Sequence, residues 1–153
     1  MTEKAPQRHS GSAEKRVAWQ ENGDASAEFA RTITVMGDFK KLRAWQEAHS
    51  FDIAMHKAFI GRRTDIAPGL RRQILKAASS IPDNLAEGCG FRSRRELAKY
   101  ANQSYSSAKE VENDLIKCRD LDILPSTVAE DLLRQCDGVA GLCYSLTIVP
   151  PGA

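Results

Sequence analysis

A chain of 153 residues, 42% of them hydrophobic, is long enough for one domain with a real core and too short for two large ones. Aromatics make up only 7% and Val/Ile/Thr alternation is nearly absent, which disfavours a sheet protein, and no run approaches the roughly 20 apolar residues of a membrane span. The net charge of +2 conceals an asymmetry: residues 57–99 carry ten basic and four acidic side chains, residues 100–137 four and eight, so a basic end or stripe is expected.

Residues 1–36 are polar and mixed in charge, with Gly11, Gly23 and Ser26 interrupting any helical pattern; they read as a mobile extension. With no hydrophobic run at the N-terminus, the protein reads as cytoplasmic. The tetrapeptide Ala-Trp-Gln-Glu occurs at 18–21 and again at 44–47, and with one copy in an unpatterned context the echo is treated as chance.

From residue 37 to 149 the pattern is helical. Asp38 can cap a first helix to about Ile60, in which Leu42, Trp45, Ala48, His49, Ile53, Met55, Phe59 and Ile60 form a stripe wide enough to suggest a second buried contact, such as another subunit. Gly61 to Asp65 reads as a loop. Asp65 caps a second helix with Pro68 in its first turn, and Leu70, Ile74, Ala77, Ile81 and Leu85 recur at helical steps. Pro82 should bend that helix because it cannot donate to the carbonyl of Ala78, and Gly88 and Gly90 should stop it.

Ser93 and Glu96 form a capping box that opens a third helix, where Leu97, Ala101, Ser104, Ala108, Val111, Leu115 and Cys118 alternate steps of four and three. After a turn from Asp120 to Pro125, Thr127 and Glu130 offer a second box for a fourth helix with Leu132, Cys136, Val139, Cys143 and Leu146 on one side; Pro150-Pro151-Gly152 ends it. Four amphipathic segments on short loops bury their stripes most simply as an all-α, antiparallel, up-down-up-down four-helix bundle.

Cys89, Cys118, Cys136 and Cys143 form no CxxC pair and no zinc-like grouping, so they read as reduced, packed thiols. His49, Asp52 and His56 fall on related turns, but the Glu-x-x-His pairs of di-iron bundles are missing and no metal is expected there. Asn84 and Glu87 have no neighbouring base at matching spacing and read as structural groups that satisfy backbone near Pro82. No phosphate loop or nucleophile elbow is present, so no enzyme activity and no cofactor is expected.

Residues 80–96 resemble the four-helix-bundle family named after proteins encoded in 23S ribosomal RNA intervening sequences, which also includes the accessory variability protein of diversity-generating retroelements. Ser80, Ile81, Pro82, Asn84, Ala86, Glu87, Gly88, Gly90, Ser93 and Glu96 match its motif; Leu42, Trp45, Gln46, Ala48, Gly69, Leu70, Gln73, Ser107, Glu110 and Glu112 add support. Phe91-Arg92 stands where the family's arginine directly follows the glycine, and Met36 lies where members usually begin, making it an alternative start. The resemblance implies a homo-oligomer, commonly a pentamer with a positively charged surface, and in the retroelement members binding to nucleic acid and a reverse transcriptase.

The functional candidates are the cations Arg62, Arg63, Arg71, Arg72, Lys76, Arg92, Arg94, Arg95 and Lys99, because Lys and Arg neutralise phosphates and release counterions. Few aromatics accompany them in sequence, so contact with the phosphate backbone is the expected mode. Ser80, Pro82, Asn84, Glu87, Gly88, Ser93 and Glu96 are expected to be structural. The expectation is a non-catalytic, nucleic-acid-binding accessory protein; the other reading is a protein-interaction or assembly module with no nucleic-acid role.

Overall fold

The computed structural model describes residues 36–60 and 68–149, which form a short 3-10 turn (Phe39–Lys41) and four helices: α1 (Arg43–Phe59), α2 (Pro68–Gly90), α3 (Arg94–Asp120) and α4 (Ser126–Thr147). Each helix packs against its two neighbours in a closed ring, α1 against α2 and α4 and α3 against α2 and α4, giving the antiparallel up-down-up-down bundle. The expected extension before Met36, the loop Gly61–Asp65 with its Asp65 cap, and the Pro150–Gly152 stop lie outside the described residues.

The seams of α3 and α4 are buried as their spacing predicts, with Ala98 and Asp114 added in α3 and Ala129 and Ala140 in α4. In α1 the face differs. Ala44, Ala48, Phe51, Met55 and Phe59 are buried, while Trp45 is half-buried, His49 is exposed, and Ile53 and Ile60 are 40% and 70% exposed. Trp45, His49 and Ile53 step by four along the outer side, so the wide stripe was two faces: one in the core and one in solvent.

Three helix starts also differ in detail. Asp38 makes no capping bond; it pairs with Lys41 (3.3 Å) at the 3-10 turn, and extended Leu42 separates that turn from α1. Ser93 Oγ accepts from Glu96 N–H at 3.4 Å, but the Glu96 carboxylate turns to Lys99 Nζ (3.7 Å), so half of the box is closed. For α4, Pro125 occupies the N-cap position, with no side-chain bond, because the helix begins one residue before Thr127.

The third helix ends in a Schellman motif, in which Ile123 N–H bonds to Cys118 O (2.8 Å) and Asp122 N–H to Arg119 O (3.1 Å), with Asp122 in the left-handed region at φ 54°.

The α2–α3 contact is the tightest seam. Helix α2 continues without interruption through buried Pro82, and Ser104 Oγ of α3 donates to the Ile81 carbonyl at 2.9 Å in the core. Ser80 Oγ bonds to Ser107 Oγ (2.7 Å) and to the Ala77 carbonyl (2.8 Å), and Asn84 Nδ2 donates to the Ser80 carbonyl (2.8 Å). Gly88 does not stop the helix. It is buried inside the last turns of α2, where a Cβ would lie 2.7 Å from Tyr100 Cβ and 3.3 Å from Leu97 Cα, so its lack of a side chain sets how closely α3 approaches.

Asp114 is 0% exposed, the one fully buried charged side chain among the described residues. It accepts from Gln73 Nε2 of α2 at 3.0 Å and pairs with Lys117 Nζ at 2.8 Å. A carboxylate withdrawn from water is tolerated only when such partners replace its hydration. On the α1 side, Ser79 Oγ donates to Asp52 Oδ1 (2.9 Å) and His56 Nδ1 lies 3.2 Å from the same carboxylate oxygen.

All four cysteines are free and buried. Burial pushes the Cys136 and Cys143 thiols up to about 12, and burial with the Asp114 charge pushes Cys118 up to about 11.

Three predictions follow from this packing. Gly88→Ala gains at most about 1 kcal/mol of helix propensity but overpacks against a backbone-anchored Cβ at a cost of about 1–3 kcal/mol. Urea unfolding should show Gly88→Ala less stable than wild type, and Gly138→Ala, with nothing within 4 Å of its Cβ position, more stable. Lys117→Met leaves the Asp114 carboxylate short of a partner and should cost about 1–3 kcal/mol, most of it recovered in the Lys117→Met/Asp114→Asn double variant, by the same measurement. Native Cys136 and Cys143, fully buried and with their thiols held protonated, should resist iodoacetamide at pH 8 and react rapidly in denaturant.

Candidate nucleic-acid interface

The topology divides the candidate cations between the two ends of the bundle. Arg71, Arg72 and Lys76 lie in the first turns of α2; Arg92 sits in the α2–α3 turn; Arg94, Arg95 and Lys99 open α3. The eighteen helical steps from Arg72 to Gly90 span about 27 Å, so the single basic face suggested by the sequence is two separate groups. Arg62 and Arg63 lie outside the described residues.

At the first end, Arg72 and Lys76 line a groove of about 470 Å³ with Gly69, Gln73, Ala77, Ser80 and, from α3, Glu110. Small side chains at Gly69, Ala77 and Ser80 leave the trough open between the helices. Arg72 and Lys76 are exposed and Arg71 is half-buried. Because α3 runs antiparallel, its end and the α3–α4 turn share this end and bring Lys117 and Arg119 together with Asp120 and Asp122; α1 adds Lys57, and Glu110 of α3 with Glu130 and Asp131 of α4 weaken the positive field there.

At the opposite end the balance is different. Gly37 N–H donates to the Cys89 carbonyl at 3.2 Å, and Arg92 N–H donates to the same oxygen at 3.3 Å, so the segment leading into α1 is tied to the α2–α3 turn. Gly37 has φ 95°, and a Cβ there would meet Arg92 Nε at 3.1 Å; glycine is needed both for the backbone and for the guanidinium lying across it. Arg92 is itself left-handed at φ 53°, which turns the chain sharply from α2 into α3. The tie recruits Lys40, Lys41 and Arg43, cations missed in the sequence because they are some fifty residues from the turn. This end thus holds Lys40, Lys41, Arg43, Arg92, Arg94, Arg95 and Lys99 against Asp38, Glu47, Glu87 and Glu96, and the last turns of α4 add no charge.

Aromatic rings stand beside these cations. Phe91 is 53% exposed and stacks on Tyr100, with ring centroids 5.5 Å apart and planes 18° apart. Tyr100 O–H donates to Glu87 Oε1 at 3.0 Å, a bond that raises the phenol above its usual range because ionisation would lose the bond and set two negative charges together. Lys99 Nζ lies 6.0 Å from the Tyr100 ring centroid. Glu87 therefore braces α2 against α3 through Tyr100, whereas Asn84 donates to the Ser80 carbonyl within α2, not to the Ala78 carbonyl that Pro82 cannot serve.

Of the 80–96 motif, Ser80, Glu87 and Gly88 meet α3 across the seam, Asn84 bonds within α2, and Ser93 and Glu96 belong to the first turn of α3. Comparison with protein families gives a match to the 23S rRNA-intervening sequence protein model over residues 40–145. The chain belongs to this family. No curated protein matches it. The match spans all four helices and the whole cationic turn, while the segment before residue 40 stands outside it.

Among the described residues, no group of His, Cys, Asp and Glu side chains could hold a metal ion, and no helix is long and apolar enough to cross a membrane. His49, weighed above as a ligand, is instead stacked on Trp45 at 4.9 Å with the planes 6° apart.

If the Gly37–Cys89 tie positions the cationic end, Gly37→Val should strain the left-handed backbone and displace Arg92. The expected outcome is a loss of about 1–3 kcal/mol in urea unfolding together with weaker retention on a phosphate-bearing cation-exchange matrix than wild type.

Proposed function

We propose that this member of the 23S rRNA-intervening sequence protein family is a non-catalytic, homo-oligomeric accessory protein that binds nucleic acid through phosphate contacts at the α2–α3 end of the bundle. The observation that carries this reading is the gathering of seven cations against four carboxylates at one end of the fold, with Arg92 exposed in the turn and Arg95 exposed at the start of α3. Such a concentration of Lys and Arg supplies the counterion-release term that dominates binding to polyphosphates. Arg71, Arg72 and Lys76, set among acidic neighbours about 27 Å away, are secondary contacts.

A second reading, an assembly or protein-interaction module, is favoured by the outer side of α1, where exposed His49 and Ile53 continue a row begun by half-buried Phe39 and Trp45. The two readings are compatible if the row serves self-association and the cationic end serves nucleic acid.

Binding of RNA and DNA oligonucleotides across a salt series tests the proposal. The wild type should bind at low salt with affinity falling steeply as salt rises, and Arg92→Glu/Arg95→Glu should weaken binding at least tenfold and flatten the salt slope by about one unit per side chain lost. Arg72→Glu/Lys76→Glu should have the smaller effect. Wild-type protein that binds neither polymer at low salt would contradict the reading, as would equal sensitivity of both ends.

A further inference from the structure

We infer that Phe91, backed by Tyr100, is a base-stacking platform, so that the nucleic acid taken at this end is single-stranded; this deepens the proposed function and rests on it. A large aromatic ring more than half exposed at a helix turn is costly to keep in water unless something covers it. Here the ring is also held in place. Tyr100 is fixed from behind by Gly88, whose missing side chain lets its Cβ approach, and by its bond to Glu87; Phe91 lies almost parallel on top of it.

The surroundings suit a base rather than an apolar partner. The Phe91 ring is 53% exposed, and the exposed cations Arg92 and Arg95 follow it one and four residues later, in the turn and at the start of α3. A base in a duplex keeps its faces on its neighbours and cannot offer one to a ring at the surface. An unpaired base can, and stacking of this kind tolerates any sequence because every base has a π-face.

The test compares a 12-nucleotide oligouridylate, an oligothymidylate of equal length and a duplex of matched length, at one low salt concentration. Phe91→Ala and Phe91→Leu should each weaken single-strand binding about 5- to 150-fold while leaving duplex binding and the salt slope unchanged. Phe91→Trp should retain single-strand affinity and gain fluorescence that is quenched on binding, relative to wild type. Unchanged single-strand affinity in Phe91→Ala would overturn the inference, and so would equal loss on the duplex. A wild type that binds duplex but no single strand would overturn the platform while leaving the proposed function standing; one that binds neither would overturn both. A change of native mass in Phe91→Ala would instead assign the ring to a subunit contact.

Discussion

The close approach of α2 and α3 is the constraint on which the rest of the structure depends. Two helices with ordinary side chains at the contact stand farther apart than Gly88 and Tyr100 allow, and the Ser104 hydroxyl can reach the Ile81 carbonyl only because small residues line the middle of the seam. That approach fixes the sharp turn between the helices, and the turn in turn decides where Phe91, Arg92 and Arg95 stand. The same seam carries Asp114, whose burial is tolerated because Gln73 of α2 completes its hydrogen bonding across the interface.

Much of the fold was legible in the residue order, and the reason is physical. In α3 and α4 the apolar residues keep an unbroken four-three step, which only one helical face can satisfy, so those seams follow from spacing alone. In α1 two apolar rows run side by side, and hydropathy does not say which one meets the core. The rows separate only when α2 and α4 take their places, leaving Phe51 inside and Ile53 outside. Gly88 was misread for a related reason: glycine near a helix end signals termination in sequence, whereas here its role depends on a residue twelve positions later in another helix. The burial of Asp114 has no local signal, because its partner Gln73 is 41 positions away.

The candidate site was half legible. Counting charge along the chain picked out residues 57–99 as basic, yet α2 is long enough to carry that segment's two halves to opposite ends of the molecule. Lys40, Lys41 and Arg43 could not be joined to Arg92 without the Gly37–Cys89 hydrogen bond. Phe91 and Tyr100, nine residues apart, gave no sign of stacking until the turn folded one over the other. The result is a small bundle with its surface features separated in space: a positive end carrying exposed Phe91, an outer row on α1, and a core that holds four buried thiols.

The most direct test of the account is ultraviolet cross-linking of a bound oligouridylate, followed by mapping of the attached peptides. Adducts concentrated between Phe91 and Tyr100, with a lesser set at Lys40–Arg43, are the result the account predicts. Adducts confined to the Arg72–Lys76 groove, or to the Trp45 row, would contradict it.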